Sequence, residues 1–215
     1  MALTLKEKLF DYISKNYQEN QPIIQKDMDD LKGELNPVTL RQNLLRLSQE
    51  EKIIKSAYFP GVYHLPTSKV SPIDTLEKIY VYKSSTRIGY ESGLNLANKL
   101  GLSSQTSPIV LYVSTHVSEV KKTITLGNRR FIIQKAKASV SDENYKLLQV
   151  CDLIGELDYF SELETFKSIE ILKNYLSQVP KTLMFDEFVS CYPLKVQLMF
   201  YKWGFDHIFN TQSPS

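Results

Sequence analysis

One short segment in the first quarter of the chain carries side-chain types that recognise the base edges of DNA. Arginine can donate two hydrogen bonds to one guanine, and glutamine or asparagine can make two with one adenine. At helical spacing, Thr39, Gln42 and Arg46 fall on one side of this segment, and Asn43 flanks them. Arg41 lies at the edge of that side, where a phosphate contact is more natural. The competing interpretation is a solvated helix face, which fits each residue equally well when it is taken alone.

The same segment has a helix signature that would hold these side chains in place. Asn36 is a favoured N-cap and Pro37 a favoured first helical residue, because the missing N–H of proline would be unpaired there. We therefore predict a helix that begins at this step and runs to about residue 49. Its predicted buried stripe consists of Leu40, Leu44 and Leu47.

The elements predicted around this helix are those of a winged helix-turn-helix. They are helices over 3–17 and 25–31, the second closed by Gly33, and two strands over 52–55 and 62–65. Three helices followed by such a hairpin predict a DNA-binding domain over residues 1–70. The wing would offer three side chains to phosphate or to the minor groove, namely Lys55, Tyr58 and His64. Taken together, the cap, the polar face and the hairpin favour DNA binding over a merely solvated helix.

Charge is unevenly distributed along the chain. Residues 1–70 carry 10 Lys and Arg against 9 Asp and Glu, which is nearly neutral for a DNA-binding domain. Residues 71–140 carry 10 against 4, and residues 141–215 carry 6 against 11. The neutral first segment therefore predicts that dimerisation, or the basic middle segment, assists DNA binding.

The basic middle segment contains a predicted β-hairpin, with strands over 123–126 and 130–133 around a Gly-Asn turn. No acidic residue lies between Lys121 and Lys137. This basic hairpin either faces phosphate or a partner, or it carries lysines that protect an exposed sheet edge from aggregation. Both interpretations stay open. The cations of the hairpin are Lys121, Lys122, Arg129, Arg130, Lys135 and Lys137.

After a predicted linker at 66–72, the pattern predicts a second domain, residues 71–215, of helices around a small β-sheet. The whole chain is therefore expected to be α+β. Besides the basic hairpin, its predicted elements are a helix within 89–101, a strand over 109–113, and helices near 166–176 and 196–203. Cys151 and Cys191 are expected to be buried thiols of a reducing cytosol. Five acidic residues are expected on a solvated surface, namely Asp152, Glu156, Asp158, Glu162 and Glu164.

Catalytic and membrane-spanning signatures are missing from the sequence. It has no P-loop, GxSxG, HExxH or GxGxxG motif, and His116 with Glu119 lacks a third metal ligand. No apolar run has the length of a membrane span, and Lys6, Glu7 and Lys8 interrupt any apolar signal at the N-terminus. We therefore expect a cytoplasmic protein that is not an enzyme, takes no cofactor or metal, and does not associate with a membrane.

Stretches along nearly the whole chain share a pattern with one known family. In the first domain they are 41–47, 52–54 and 61–66. In the second, 93–105 is a small-residue, leucine-rich helix ending in Leu-Gly-Leu-Ser-Ser-Gln, and 192–196 begins with a Tyr-Pro step. Together these stretches resemble the AbiEi-type antitoxins and transcriptional regulators of type IV toxin–antitoxin systems, which act in abortive infection.

The resemblance implies a bifunctional protein. In that family the winged helix represses its own bicistronic operon by binding inverted repeats in the promoter DNA. The C-terminal part antagonises a nucleotidyltransferase-like toxin, and this does not require a stable complex. Carried onto this sequence, repression falls on Thr39, Gln42, Asn43 and Arg46, and antagonism falls on the part after Pro72.

A homodimer on double-stranded DNA would match the inverted repeats. Two alternatives remain open. The first is a stand-alone winged-helix transcription factor. The second is a protein-interaction module that has lost DNA binding, which the near-neutral residues 1–70 support.

Overall fold

A computed structural model describes residues 3–19, 21–28, 31, 35–68, 70–83 and 85–209. The chain is mixed α+β. It divides into two compact units, Met1–Ile79 and Tyr80–Ser215. The division therefore follows residue 79, whereas the sequence predicted a domain boundary after residue 70.

The first unit is built from short strands between longer helices. Its elements are α1 (Leu5–Asn16), β1 (Ile23–Ile24), a 3₁₀ turn (Gln25–Asp27), α2 (Pro37–Gln49), β2 (Ile54–Lys55), β3 (Val62–His64) and α3 (Pro72–Tyr80), which ends at the boundary. The second predicted helix, over 25–31, overlaps the 3₁₀ turn at its first three residues. Residues 29 and 30 of that helix, and Gly33 that should close it, lie outside the described residues.

Helix α1 begins with a reciprocal cap, a capping box, that was not predicted from the sequence. The N–H of Glu7 donates to the Thr4 hydroxyl oxygen at 3.3 Å, and the N–H of Thr4 donates to the Glu7 carboxylate at 2.8 Å. Leu9 and Ile13 on the opposite face are fully buried. They join the α2 leucines in one apolar core, which fixes α2 against α1.

The three short strands of the first unit form one sheet, in the spatial order β1-β3-β2. Both pairings are antiparallel, with Ile23 opposite Tyr63 and Ile54 opposite His64. Strand β1 is a finding that the sequence did not predict. It places the buried Ile23 in the core of the first unit.

The second unit combines a mixed sheet with a layer of helices. Its elements are β4 (Tyr82–Lys83), β5 (Thr86–Arg87), β6 (Gly89–Ser92), α4 (Leu94–Lys99), β7 (Ile109–Ser114), β8 (Lys121–Leu126), β9 (Arg129–Lys135), α5 (Tyr145–Gly155), α6 (Leu157–Phe160), α7 (Thr165–Leu176), α8 (Phe185–Val189) and α9 (Leu194–Lys202). The predicted strand, hairpin and last two helices are all present.

The main sheet of this unit has the order β6-β7-β9-β8. β7 is parallel to β9, and the other two pairings are antiparallel. The basic hairpin is β8–β9, so its first strand lies at the edge of the sheet and its second strand is interior. Gly127 in the turn has a φ of +58°, a left-handed conformation that favours glycine.

Helix α5 lies at the centre of the core of the second unit and was not predicted. It buries seven residues, Leu147, Leu148, Gln149, Val150, Cys151, Leu153 and Ile154. Cys151 is buried as expected, but the prediction for Cys191 is wrong because that thiol is exposed. It lies in the turn between α8 and α9, outside the apolar core. No helix in the described ranges is long and apolar enough to cross a membrane.

Candidate nucleic-acid interface

Helix α2 has the start that its sequence predicts. The N–H of Thr39 donates to the Asn36 side-chain oxygen at 2.8 Å, and Pro37 occupies the first helical position. Leu44 and Leu47 are fully buried, and Leu40 nearly so. Because the buried stripe fixes the rotation of the helix, the opposite side must face solvent.

Three of the predicted contact residues lie on that exposed side, namely Arg41, Gln42 and Arg46. Neither arginine has an acidic partner among the residues that the structure describes. Arg41 lies close enough to β3 for its charge to act on Tyr63, where it opposes the burial that raises the pKa of the Tyr63 hydroxyl. The exposed side of α2 therefore presents two guanidinium groups around one amide, and neither guanidinium pairs with a described acid.

The prediction for Asn43 is wrong, because this residue is only 5% exposed. Its side-chain amide turns back along the helix and donates to the carbonyl of Thr39 at 2.9 Å. Asn43 therefore helps to hold the first turns of α2 and cannot reach a base. Thr39 is half-buried near the N-terminus of the helix, where its backbone takes part in the cap.

Two apolar residues on the exposed side were missed by the sequence analysis. Val38 is 65% exposed and Leu45 is 46% exposed, although both belong to an otherwise well-packed helix. With Gln42 they follow the spacing i, i+4 and i+7, so the three side chains form one stripe. Their exposure could have been predicted, because neither residue lies on the buried stripe of Leu40, Leu44 and Leu47. Apolar side chains on such a face can contact the methyl group of thymine.

The loop between β2 and β3 is held by short-range hydrogen bonds. The hydroxyl oxygen of Ser56 accepts from the N–H groups of Tyr58 and Phe59, both at 3.3 Å. Phe59 is buried, whereas Tyr58 is 57% exposed. Gly61 closes the loop with a φ of +77°. This loop holds the Tyr58 ring out in solvent, and Lys55 is exposed at its base.

His64 does not suit the phosphate contact that was predicted for it. Its side chain is half-buried, and its Nδ1 is buried without a hydrogen-bond partner in the described chain. Burial lowers the pKa of His64, because the charged imidazolium would lose solvation. The ring is therefore neutral near pH 7 and supplies no positive charge to a phosphate.

The near-neutral charge of the first unit does not describe its exposed α2 face. Several of its acids are already bound elsewhere. Glu50 pairs with Lys6 and with Lys52, the latter at 3.2 Å, and these partners hold the pKa of Glu50 below its ordinary value. Asp11 pairs with Lys15 along α1. These paired charges cancel one another, whereas the arginines of α2 pair with no acid in the described part of the unit.

Comparison with protein-family models, with curated proteins and with solved structures finds no match. The geometry of the site and the sequence pattern therefore carry the functional argument. In the described residues, no group of three or more His, Cys, Asp or Glu side chains could hold a metal ion.

Five of the six predicted cations lie on the two strands of the basic hairpin. Lys137 lies beyond β9 and does not belong with them, because its ammonium group pairs with Asp152 at 2.8 Å and stacks over the Tyr192 ring. Lys122 donates to the hydroxyl of Tyr80 at 3.2 Å. Lys121, Arg129, Arg130 and Lys135 are exposed and have no acidic partner in the described part of the chain.

Of the five acids predicted on a solvated surface, Asp152 is half-buried, whereas Glu162 is exposed as predicted but is hydrogen-bonded. The Asp152 carboxylate, on α5, accepts from the Tyr90 hydroxyl at 3.0 Å as well as from Lys137. Glu162 accepts from the N–H of Ser104 at 2.9 Å and from the hydroxyl groups of Ser104 and Ser103. These bonds lower the pKa of Glu162 to about 2. Glu156, Asp158 and Glu164 are exposed, as predicted.

Proposed function

We propose that the first unit is a winged helix-turn-helix that binds double-stranded DNA, with α2 as its recognition helix. The observation that carries the proposal is the exposed side of α2, where Arg41, Gln42 and Arg46 lie opposite a fully buried leucine stripe. The chain order helix, strand, helix, strand pair and the exposed loop after β2 support the winged-helix interpretation. In this arrangement Gln42 and Arg46 read base edges, and Arg41 contacts phosphate.

The revised contact set differs from the one that the sequence predicts. Val38 and Leu45 join it as apolar contacts, and Lys55 and Tyr58 contact the backbone from the loop between β2 and β3. Asn43 and His64 leave it because they are buried or half-buried and uncharged. Thr39 keeps a supporting role through the helix cap.

We further propose that the DNA is the promoter of the protein's own operon and that binding represses it. The second unit then antagonises a nucleotidyltransferase-like toxin, as an antitoxin of the type IV kind does. The resemblance of segments 93–105 and 192–196 to AbiEi-type antitoxins supports this half of the proposal. Co-expression with the product of the neighbouring gene tests it, because the full chain should restore growth and residues 1–79 alone should not.

Binding to upstream DNA tests the first half directly. The full chain should bind a labelled duplex from upstream of its gene more tightly than a scrambled duplex, with affinity that falls as salt rises. Arg46→Ala should weaken specific binding by about 1–3 kcal/mol, the usual worth of a good base contact. Fluorescence anisotropy across a salt series measures both effects.

Lys15→Ala is the matched control, since it removes one cation from an ion pair on α1 of the same unit. It should leave the affinity for the upstream duplex unchanged. Equal losses for Arg46→Ala and Lys15→Ala would show that only net charge matters, and would exclude α2 as a recognition helix.

A protein-interaction module is the second candidate function, and the exposed apolar pair on α2 favours it. Val38 and Leu45 could pack against a partner protein as readily as against a thymine methyl group. Leu45→Ser separates the two candidates. If α2 binds DNA, Leu45→Ser should reduce the binding affinity less than Arg46→Ala does. If α2 binds a protein through an apolar interface, Leu45→Ser should reduce the binding affinity more.

A further inference from the structure

The β8–β9 hairpin presents one polar face whose members are fixed by strand register. Lys121 lies opposite Gln134, and Thr125 lies opposite Arg130. Because alternate side chains of a strand point to the same face, these residues share one face with Thr123 and with the half-buried Ile132 opposite it. We name this set the polar sheet face: Lys121, Thr123 and Thr125 of β8, with Arg130 and Gln134 of β9. Gln134 is half-buried and the other four are exposed.

Among the described residues, no acidic side chain pairs with the charges on this face. Some other cations of the second unit do have acidic partners, for example Arg87 with Asp142 and Lys99 with Glu91. Lys121 and Arg130 have none within the described ranges. They lie at the two ends of the face, about 14 Å apart along the strand direction, with both threonine hydroxyls between them. Two unpaired cations that flank hydroxyl groups suit a ligand with phosphates on either side of a polar surface.

The position of β9 decides between the two kinds of nucleic-acid duplex. A free two-stranded ribbon can enter the major groove of B-form DNA. This hairpin is not free, because β9 also pairs with β7 from Arg130 to Lys135, and β7 in turn pairs with β6. The minor groove of A-form RNA is wide and shallow and displays 2′-hydroxyl groups, so a flat surface can reach it without entering a deep groove.

We propose that the polar sheet face binds double-stranded RNA across its minor groove. Lys121 and Arg130 contact phosphates on the two sides of the groove. Thr123, Thr125 and Gln134 exchange hydrogen bonds with the 2′-hydroxyl groups between them. This RNA site belongs to the second unit and does not depend on DNA binding by α2.

The test uses the full chain carrying Arg41→Ala and Arg46→Ala, which removes the proposed DNA contacts of α2, and two 20-base-pair duplexes of one mixed sequence, one of RNA and one of DNA. Binding is measured by anisotropy at physiological salt. The RNA duplex should bind at least about tenfold more tightly than the DNA duplex, because only RNA offers 2′-hydroxyl groups to the threonines. Equal affinity, or tighter binding of the DNA duplex, would overturn the proposal.

Two double variants locate the site within the hairpin. Lys121→Glu with Arg130→Glu should weaken RNA binding by about tenfold or more, since it reverses both phosphate contacts. Arg129→Glu with Lys135→Glu is the matched control, because it makes the same charge change on the opposite face of the same hairpin. If the control lost as much affinity as the first pair, the polar sheet face would not be the binding surface.

Thr123→Val with Thr125→Val tests the hydroxyl contacts without changing charge. Valine keeps the branched shape that suits a strand, so the sheet should remain folded. The preference for RNA over DNA should fall by about tenfold, as two hydrogen bonds would allow. An unchanged preference would contradict the role of the threonines. Arg46→Ala should leave RNA binding intact, so failure of operator binding and failure of this proposal are distinguishable.

Discussion

Helices α2 and α5 are similar in length, at 13 and 11 residues, but they use their polar residues in opposite ways. α2 buries one stripe and exposes Arg41, Gln42 and Arg46 to solvent. α5 is buried on nearly all sides, and its polar residues are bound inside the second unit. Gln149 donates to the carbonyl of Glu91 at 2.7 Å and accepts from the Tyr175 hydroxyl at 2.6 Å. Polar residues that already have partners maintain the fold, whereas those without partners are available for binding.

The largest expected effect on the free energy of unfolding comes from replacing one leucine by alanine in each helix and comparing the two variants. Leu153→Ala on α5 should lower the free energy of unfolding by about 2–5 kcal/mol, because the side chain is fully buried and a cavity remains. Leu45→Ala on α2 should change it by less than about 0.5 kcal/mol. Urea unfolding followed by circular dichroism measures both. Similar losses in the two variants would mean that the exposed side of α2 is also part of a core.

Asp152 provides the next test of the comparison. Asp152→Ala removes the acceptor of Tyr90 and the partner of Lys137, so the free energy of unfolding should fall by about 1–3 kcal/mol. Asp158→Ala is the control, since that exposed carboxylate should contribute less than about 0.5 kcal/mol. An equal response of the two aspartates would show that the α5 network does not stabilise the fold.

Glu162 predicts a pH dependence of the stability of the second unit. Its carboxylate is held by Ser103 and Ser104, and its folded pKa of about 2 lies below the ordinary value of 4.5. The stabilisation is therefore complete above about pH 4.5 and is lost as the pH falls towards 2. Glu162→Gln should flatten this part of a profile of urea midpoint against pH. A profile that keeps the wild-type slope would assign the acid sensitivity to other groups.

The smallest expected effect on stability distinguishes the roles of two amide side chains on α2, those of Asn43 and Gln42. Asn43→Ala breaks the bond to the Thr39 carbonyl and should lower the free energy of unfolding by about 0.5–1.5 kcal/mol. Gln42→Ala should leave stability unchanged and weaken DNA binding. Thermal melting and anisotropy together measure the pair. A stability loss at Gln42 with no loss of affinity would reverse their assigned roles.

The sequence predicted the parts of the fold that short-range signals determine. The bounds of α2 follow from its cap and its leucine stripe, and the β8–β9 turn follows from Gly127 and Asn128. Strand β1 was missed because its two residues are strand only through pairing with β3, some forty positions later. Helix α5 was missed although its polar residues Lys146, Gln149 and Asp152 recur at helical spacing, because Asp152 was assigned to a solvated acidic surface.

The candidate site was predicted only in part, for the same reason. Exposure of Arg41, Gln42 and Arg46 follows from helical geometry alone. Asn43 was misplaced because its amide finds a partner one turn earlier, which spacing does not reveal. Asp152 was misplaced because its partner Tyr90 is 62 residues away in the sequence. Contacts at such separations require the folded structure.

The reaction rates of the two thiols of the chain can be used to measure how often the second unit opens. Cys191 is exposed and should react with a thiol reagent at once, whereas burial raises the pKa of Cys151 and keeps it protonated. With a chromogenic thiol reagent, the native protein should therefore release one equivalent of the reagent's chromophore rapidly. A second equivalent appears only when the helix around Cys151 separates from its neighbours. The rate of that second phase measures how often the core opens under fully native conditions, without denaturant and without any engineered label.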